Sequence, residues 1–384
     1  MNYSKMNHNK EDPISLFIPT LSDGGAQKVV VNLANEFVKL TNRPIHIVLV
    51  RAEGEFIHQV SPEIQIIGLD KERTLYAIPA LVRYLRRSRP TVFCSSLDYA
   101  NVCASIAWWL AGQNIQLIVR EDGVVRNAKN SVKKRARRGL MHFLMRIFYR
   151  RAKAVVAISD VVAQSLWHFN ICSNEKTIVI GNPVCIVADN EAAIEKVGIE
   201  LNQKKFICAV GRLTEVKGFD ILLEAFAQLS DMNLDLVILG EGSCRDSLKI
   251  QAHRLKMADR VHMPGFVRQP LEVIKRSELF VLSSRREGFG NVLVEALSTG
   301  VPIVSADCHG GPREILLNGT LGHLVSPEDP NALSEAIREA LVEPRGTIHA
   351  RQRRANDFAA PVIARKYLND AFGLTVDCFE KLDS

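Results

Sequence analysis

The chain has 384 residues, more than a single hydrophobic core usually serves, so two domains are expected. Its composition, 47% hydrophobic and 24% charged, is typical of globular proteins and excludes a disordered or fibrous chain. The net charge of +7 is unevenly divided, because residues 1–185 hold 25 Lys and Arg against 14 Asp and Glu, whereas residues 186–384 hold 24 against 28. The first half is therefore expected to meet an anionic partner.

The N-terminal segment and the cysteines exclude further classes of protein. Acidic residues precede a short apolar run that contains a proline, which does not fit a secretory signal. No uncharged apolar stretch approaches the ~20 residues that a membrane-spanning helix needs. The eight cysteines form no C-x-x-C pair and have no histidine at zinc-site spacing, so neither a disulfide framework nor a structural metal is indicated. A cytoplasmic location is expected.

Short runs rich in Val, Ile and Leu alternate with longer segments of helical period along the whole chain. This alternation predicts an α/β fold in which parallel sheets are wrapped by helices. In the first half, the helix candidate GAQKVVVNLANEFVKL follows the turn signal SDGG. The strand candidates there are ISLFIPT, IHIVLV, IQIIGL, TVFCSS, IQLIVR, AVVAIS and TIVIGN.

A charged segment without strand character, DNEAAIEKVGIELNQKK at 189–205, divides the alternation into two blocks. The strand candidates of the second block are KFICAV, LDLVILG, RVHMPG, LFVLSS, PIVSA and GHLVS. Two doubly wound domains are therefore predicted, residues 1–185 and residues 186–360, joined by the charged segment. Because ligands of such sheets bind beyond the carboxyl ends of the strands, a cleft between two facing domains is the expected site.

The loop GRLTEVKGFD follows a strand candidate and carries two cations, Arg212 and Lys217. A guanidinium fork and an ammonium five residues apart, beside flexible glycines, suit a diphosphate that they contact from two directions. The alternative is that both cations are solvated surface charges.

The loop RREGFGNVLVEALSTG follows the strand candidate LFVLSS. Gly288 and Gly290 allow the backbone amides to turn toward a ligand where a helix begins near Asn291. Glu287 precedes that helix and Glu295 lies about one turn inside it, so both carboxylates can point into one pocket and accept hydrogen bonds from sugar hydroxyls. Alternatively, Glu287 only caps the helix and Glu295 is solvated.

Five segments follow one another along the chain: GGAQ (24–27), GRLTEVKG (211–218), LGEGS (239–243), PGFV (264–267) and EGFGNVLVEALSTGVPIV (287–304). In this order they resemble the retaining, nucleotide-sugar-dependent glycosyltransferases of family four. The resemblance covers nearly the whole chain, and the joint occurrence of the segments is far more specific than any one of them. It implies the GT-B fold of two facing Rossmann-like domains, in which a C-terminal helix, here about 361–384, completes the first domain.

The resemblance also implies a role for each segment. Glu287 is expected to contact hydroxyls of the donor sugar, and Glu295 the nucleotide ribose. Arg212 and Lys217 neutralise the diphosphate, and Val267 matches the position that receives the base through main-chain groups. The amides expected at the sugar and the distal phosphate follow Gly288 and are those of Phe289, Gly290, Asn291 and Val292.

In the first half, Gly24 and Gly25 match the glycine-rich loop that approaches the donor phosphate and the acceptor, where a side chain would keep the backbone away. One departure from the family lies after IQLIVR, where many relatives place a histidine close to the donor sugar and this chain has Arg120, Glu121 and Asp122. Either carboxylate can position the substrate or accept a proton, and Asp122 is the one predicted here. If both are structural, the donor phosphate accepts the acceptor's proton.

The implied reaction is transfer, with retained anomeric configuration, from a nucleotide-diphospho-sugar to a hydroxyl of a glycan acceptor, with a UDP-sugar as the expected donor. Since protein cations and amides stabilise the leaving diphosphate, neither a metal nor a cofactor is expected. A double-displacement route needs a carboxylate nucleophile, and no residue is assigned to it.

The alternative functions are those of a GT-B epimerase or phosphorylase and of a non-catalytic carbohydrate-binding relative. A Rossmann oxidoreductase is disfavoured because no G-x-G-x-x-G follows the first strand.

Between residues 123 and 159 the sequence has no acidic residue and eleven basic ones: Arg126, Lys129, Lys133, Lys134, Arg135, Arg137, Arg138, Arg146, Arg150, Arg151 and Lys153. The apolar run GLMHFLMRIFY lies among them. A basic amphipathic surface favours peripheral binding to an anionic membrane, here the inner face of the cytoplasmic membrane, with a lipid-linked or lipopolysaccharide glycan as acceptor. Packing of the apolar residues in the core is the alternative. No nucleic-acid-binding module is recognised, so nucleic acid is not an expected partner.

Overall fold

The computed structural model describes residues 12–22, 24–112, 114–126, 132–186, 204–267 and 270–375, with the backbone alone described at 132–134. The chain forms two compact units, Met1–Pro183 with Ala360–Ser384, and Val184–Ala359. Most of the predicted linker, residues 187–203, lies outside the described residues. Within the described residues, no helix is both long and apolar enough to cross a membrane.

The first unit contains a parallel sheet of seven strands in the order β3-β2-β1-β4-β5-β6-β7. The strands are β1 (Ile14–Ile18), β2 (Ile45–Leu49), β3 (Gln65–Gly68), β4 (Val92–Ser96), β5 (Gln116–Glu121), β6 (Ala154–Ala157) and β7 (Thr177–Val179). The helices between them are α1 (Gly25–Leu40), α2 (Ile78–Ser88), α3 (Asp98–Ala111), α4 (Val132–Tyr149) and α5 (Asp160–His168). All seven strand predictions for this half are confirmed.

The central strands are continuous apolar runs because helices cover both faces of a parallel sheet. All five residues of β1 are buried, and the strand pairs on one side with β2 and on the other with β4, so that Ile14 lies between Ile45 and Val92. The strand order reverses between β1 and β4. Loops that leave such a reversal diverge and open a crevice at the carboxyl edge of the sheet.

The second unit repeats this plan with a six-stranded parallel sheet in the order β10-β9-β8-β11-β12-β13. Its strands are β8 (Phe206–Val210), β9 (Asp235–Leu239), β10 (Val261–Gly265), β11 (Leu279–Leu282), β12 (Ile303–Ala306) and β13 (His323–Val325). Its helices are α6 (Phe219–Ala227), α7 (Arg245–Arg254), α8 (Pro270–Arg276), α9 (Asn291–Thr299), α10 (Pro312–Ile315), α11 (Pro330–Val342) and α12 (Ile348–Asn356). All six strand predictions are confirmed, and here the order reverses between β8 and β11.

The C-terminal segment packs in the first unit. It consists of α13 (Ala360–Lys366) and a π-helical turn (Tyr367–Ala371), and residues 376–384 lie outside the described part. The ring of Phe372 packs edge-on against Phe37 of α1 at 5.5 Å, and Lys153 Nζ donates a hydrogen bond to the Phe372 carbonyl at 2.7 Å. These contacts anchor the end of the described chain to both α1 and the start of β6.

Candidate functional site in the second unit

The loop after β8 and the loop after β11 meet at the point where the strand order of the second sheet reverses. Gly218 has φ +64°, and a Cβ there would lie 2.1 Å from the Ser283 carbonyl oxygen, so only glycine permits this approach. Ser283 Oγ in turn donates a hydrogen bond to the Lys217 carbonyl at 3.0 Å. The glycine beside Lys217 therefore sets how closely the two loops pack.

Lys217 and Glu287 form an ion pair across these loops. Lys217 Nζ lies 2.6 Å from Glu287 Oε1, and Ser284 Oγ donates to the same oxygen at 2.6 Å. The two side chains are 20% and 10% exposed, so the pair is shielded from bulk water. An ammonium has three donors and a carboxylate has two oxygens. The pair thus retains donors for a phosphate oxygen and an acceptor for a sugar hydroxyl.

Arg212 differs from Lys217 in the same loop. Its side chain is exposed and makes no hydrogen bond or ion pair with the described residues. The structure therefore brings Lys217 and Glu287 together and leaves Arg212 outside this contact. Its part in binding a diphosphate stays a prediction.

The helix predicted to begin near Asn291 begins there, as α9. Gly290, at the N-cap, has φ +101° and no side chain with which to cap the first amides. The preceding Phe289 is buried, and its ring packs edge-on against Phe358 at 5.3 Å. This ring anchors the loop from behind while the helix start presents its backbone amides, an arrangement that suits an anionic group.

Two glycines that sequence reasoning missed support the same loop. A Cβ on Gly310 would lie 2.1 Å from the Glu287 carbonyl oxygen, and one on Gly311 would lie 2.1 Å from that of Phe289. The Glu287 amide also donates to the His309 carbonyl at 3.2 Å. A glycine pair in a loop that follows a strand, as in CHGGPREI, was the signal that could have identified them.

Arg285 is a second residue that the sequence did not single out. It donates two hydrogen bonds of 2.7 Å to the Asp220 carboxylate and one of 2.6 Å to the Glu215 carbonyl, and it pairs with Glu328. Burial alone would raise the pKa of Asp220, but the hydrogen bonds and charge of Arg285 outweigh it and lower this pKa. Arg285 thus holds the Lys217 loop and the Glu287 loop in one arrangement.

The remaining predicted residues of this unit lie around the same edge of the sheet. Glu295 is buried on α9, and Val267 is half-buried just after β10. Arg245 links the segment LGEGS to the residue just before PGFV, since its guanidinium donates to Glu241 Oε1 and to the Met263 carbonyl, each at 2.6 Å. The roles of Glu295 with a ribose and of Val267 with a base stay predictions.

Candidate functional site in the first unit

Gly24 and Gly25 lie at the start of α1, which follows the loop after β1. Gly24 occupies the N-cap position, and a Cβ there would lie 2.4 Å from Gln27 Oε1. The Gln27 side chain therefore lies over the position that a Gly24 side chain would occupy, and the role of Gly24 with a substrate stays a prediction. Asp23 lies outside the described residues.

Asp122, the carboxylate predicted to accept a proton, is engaged through both oxygens. Its Oδ1 pairs with the buried guanidinium of Arg120, and its Oδ2 accepts a hydrogen bond from the Leu97 amide at 3.1 Å. Arg120 also donates to Tyr367 Oη at 3.0 Å and to Asn182 Oδ1 at 2.6 Å. This network holds the ends of β4 and β5 and the C-terminal segment together. A catalytic role for Asp122 stays a prediction.

Glu121, the other carboxylate of this stretch, has a different environment. It is 3% exposed, and the Tyr149 hydroxyl donates to its Oε2 at 2.8 Å. Burial, and next the negative charge of Asp98, raise the pKa of Glu121 to about 8. This environment favours the neutral carboxylic acid over the carboxylate at neutral pH.

The chain consists of two doubly wound α/β units. In the second unit, a Lys–Glu ion pair and a helix start lie where the strand order of the sheet reverses. Together these features define the class of protein. Residues 23–186 match the family model described as Glycosyltransferase Family 4, and residues 190–357 match the one described as Glycosyl transferases group 1. The chain belongs to the glycosyltransferases of the GT-B fold, as the resemblance predicted.

Two relatives with named activities align with most of the chain. The chain is 26% identical over 382 residues to the N-acetylgalactosamine-N,N'-diacetylbacillosaminyl-diphospho-undecaprenol 4-alpha-N-acetylgalactosaminyltransferase of Campylobacter jejuni, which covers 94% of this chain and 99% of the relative. It is 24% identical over 347 residues to the capsular polysaccharide biosynthesis glycosyltransferase CapM of Staphylococcus aureus, which covers 85% and 89%.

A solved structure supports the fold. The crystal structure of Anabaena HepE in complex with UDP-glucose matches with a TM-score of 0.77 at 19% identity, and the match covers 94% of this chain and 100% of that one. At this identity the likeness shows the fold alone.

Proposed function

We propose that the protein transfers a hexosyl or N-acetylhexosaminyl group from a UDP-sugar to a hydroxyl of a lipid-linked or lipopolysaccharide glycan, with retention of the anomeric configuration. The observation that carries the donor side is the Lys217–Glu287 ion pair beside the start of α9. It sets a cation for phosphate next to a carboxylate for sugar hydroxyls. The acceptor class is supported by the names of the Campylobacter and Staphylococcus relatives, and the donor class by UDP-glucose bound to HepE.

In the proposed mechanism, the diphosphate leaves as the acceptor hydroxyl approaches the same face of the sugar. Lys217, Arg212 and the amides at the start of α9 stabilise the charge that builds on the leaving group. Each such donor is worth ~3 kcal/mol or more in the transition state. Glu287 holds the sugar hydroxyls, so the ring stays in place while the bond breaks. The protein's own cations perform the neutralisation, and a metal-independent reaction is therefore part of the proposal.

Product analysis tests this function. The full chain is incubated with a radiolabelled UDP-sugar and with membrane extract that contains lipid-linked glycans. The expected result is label in the lipid fraction, in an α-linkage when the donor is an α-linked sugar. Label that stays in a nucleotide sugar of altered configuration would mean an epimerase, and label released as a sugar phosphate would mean a phosphorylase. Unchanged donor under every condition would contradict the proposal and favour a non-catalytic relative.

We further propose that the first unit binds an anionic membrane surface. On α4, Met145, Phe148 and Tyr149 are buried, whereas Leu140 is 60% exposed and Phe143 is 55% exposed. Exposed arginines flank these two side chains, namely Arg135, Arg137 and Arg146. An outward apolar pair between cations suits insertion at a lipid headgroup layer. Lys129, Lys133 and Lys134, which were counted in the same basic stretch, lie outside the described side chains.

Vesicle sedimentation tests the membrane proposal. The chain should sediment with phosphatidylglycerol vesicles at low salt and be released at high salt, but should not sediment with phosphatidylcholine vesicles. Replacing both Leu140 and Phe143 by Ser should weaken sedimentation. The matched control is Val342→Ser, which changes an apolar residue that is 86% exposed in the second unit. Equal sedimentation with both lipids, or of all variants, would contradict the proposal.

A further inference from the structure

A pocket of about 260 Å³ opens in the first unit at the carboxyl ends of β4 and β5. Its polar wall is formed by Asp98 at the start of α3, Glu121 and Asp122 at the end of β5, and Arg138 of α4. Leu97 and Met145 contribute apolar surface. The volume is below the ~300 Å³ at which sites for drug-sized ligands begin. The pocket therefore suits one monosaccharide ring rather than an oligosaccharide.

The hydrogen bonds behind Glu121 determine where its proton lies. Asn101 Nδ2 donates to the Arg120 carbonyl at 2.8 Å and to Tyr149 Oη at 3.3 Å. A carbonyl oxygen can only accept, so this amide must present its nitrogen to both partners. The hydroxyl proton of Tyr149 is then free to point at Glu121 Oε2, which lies 2.8 Å away. When Glu121 is neutral, its own proton therefore belongs on the other oxygen, Oε1.

The charged groups around Glu121 leave it without a cation of its own. Arg120 is paired with Asp122, and Arg138 Nη1 is 3.1 Å from Asp98 Oδ2. Burial disfavours a negative charge at Glu121, and the charges of Asp98 and Asp122 add to this effect. A carboxylic acid in this environment stays neutral at neutral pH and acts as a hydrogen-bond donor.

We infer that this pocket binds one neutral pyranose of the acceptor glycan, and that Glu121 donates a hydrogen bond from Oε1 to an oxygen of that sugar. This inference rests on the proposed function, because it supplies the acceptor side of the transfer. Asp98 is 45% exposed at its side chain and offers carboxylate oxygens to neighbouring hydroxyls. Asp122 already uses both oxygens for Arg120 and Leu97, so Glu121 is the specificity-determining carboxyl of the two.

The same charges select the class of sugar. A neutral hexose or N-acetylhexosamine offers hydroxyl or amide oxygens that accept the Glu121 proton. A uronic acid would bring a third carboxylate beside Asp98 and Asp122. Arg138 and Arg120 each already pair with one of those two groups, so the added charge would have no cation of its own in a partly buried pocket. Neutral monosaccharides should therefore bind, and glucuronic acid should not.

Ligand-observed NMR with the full chain tests the inference without turnover. The probes are the methyl α-glycosides of glucose, galactose, N-acetylglucosamine and N-acetylgalactosamine, with that of glucuronic acid as the charged probe. Saturation transfer to at least one neutral probe is expected at neutral pH. Above about pH 8 its Kd should rise about tenfold for each pH unit, because Glu121 then loses the donated proton.

Substitutions at Glu121 distinguish sugar binding that depends on the Glu121 hydrogen-bond donor from sugar binding that depends only on the pocket volume. Glu121→Gln keeps a donor and should bind with a Kd that no longer changes with pH. Glu121→Leu removes the donor and should bind at least ~10-fold more weakly. Should the Leu variant fail to fold, Tyr149→Phe, which frees the Glu121 proton from its fixed position, should weaken binding and keep the pH dependence. Glu63→Gln, an exposed residue of the same unit, is the matched control and should behave as the parent.

The inference is overturned if no neutral glycoside shows saturation transfer, if glucuronide binds as well, or if Glu121→Gln keeps the pH dependence. UDP protection against thermal unfolding is measured on the same samples. Protection by UDP without sugar binding would defeat the pocket assignment and leave the proposed function standing. Absence of UDP protection would count against the proposed function itself.

Discussion

The guanidinium of Arg285 forms two hydrogen bonds of 2.7 Å to the carboxylate of Asp220, and so joins the loop after β11 to the start of α6. Neither residue belongs to the predicted set of substrate contacts. Their pairing nevertheless fixes the separation between Lys217 and Glu287, because each partner lies only two or three residues from one of those two side chains. A bidentate Arg–carboxylate pair has a defined geometry that a single ion pair lacks.

Replacing Arg285 by Ala should lower kcat/KM for transfer by ~10- to 100-fold, because small misplacements of positioning groups have effects of this size. Arg285→Lys should recover little of the loss, since an ammonium cannot pair with both oxygens in the same plane. Arg338→Ala is the matched control, because Arg338 pairs in the same bidentate way with Asp231 on the exposed surface. Equal losses in both variants, or none in Arg285→Ala, would contradict a positioning role.

Removing the cation of the ion pair should affect the chemical step. Lys217→Ala should reduce kcat by ~100-fold or more, the usual effect of removing a charge-stabilising donor from a transition state. Arg212→Ala should also reduce turnover by orders of magnitude if this exposed guanidinium contacts the diphosphate. Lys205→Ala, at an exposed lysine of the same unit that pairs with Glu278 at 3.5 Å, is the control. Circular dichroism should show all three variants folded. Near-normal rates in Lys217→Ala would mean that the phosphate assignment is wrong.

The glycines behind the Glu287 loop offer a steric test. Gly310→Ala and Gly311→Ala each place a Cβ 2.1 Å from a carbonyl oxygen, so the loop must shift. The expected results are a raised KM for the donor and a loss of ~1–3 kcal/mol in the free energy of unfolding. Gly139→Ala on α4 meets nothing within 4 Å and should stabilise the protein slightly. Initial rates at several donor concentrations measure the KM, and thermal or denaturant unfolding measures the stability.

Glu121 makes stability depend on pH in a direction that can be checked. Folding raises its pKa from the ordinary value of 4.5 to about 8, so the unfolded state releases this proton first. Its contribution to stability is therefore fully present below about pH 4.5 and is lost as the pH rises toward 8. Glu121→Gln removes this penalty and should raise the free energy of unfolding by about 4 kcal/mol near pH 8, because each unit of pKa difference is worth ~1.4 kcal/mol. Denaturant unfolding should show the difference vanish toward pH 4.5, and a difference independent of pH would contradict the assignment.

The proposal that the transfer reaction needs no metal ion can be tested with a chelator. Because Lys217, Arg212 and backbone amides are proposed to neutralise the diphosphate, EDTA should leave the transfer rate essentially unchanged. Restoring Mg²⁺ or Mn²⁺ after EDTA treatment should add no activity beyond that of the untreated enzyme. Loss of activity in EDTA that either cation reverses would show that a metal takes part.

The sequence by itself was sufficient for the strands and for the start of α9. Buried parallel strands are continuous apolar runs, and the central strands β1 and β8, ISLFI and FICAV, are such runs. All thirteen strands in the described part of the chain coincide with the predicted strand candidates. Gly290 before Asn291 likewise predicted a helix start, because glycine permits the positive φ that this N-cap adopts. Strands and helix starts depend on residues that are adjacent in the sequence. Sequence periodicity and local backbone preferences therefore predict them.

Tertiary structure alone decided which charged groups touch. Lys217 and Glu287 are 70 positions apart, and Arg285 and Asp220 are 65 positions apart, so nothing in the local sequence marks such partners. The same holds for Glu121 and Asp122, adjacent carboxylates at the end of one strand. Asp122 meets Arg120 and a backbone amide, whereas Glu121 meets the neutral side chains of Tyr149 and Asn101. Charge state follows from these surroundings, because burial and neighbouring charges, rather than residue type, set the pKa of each group.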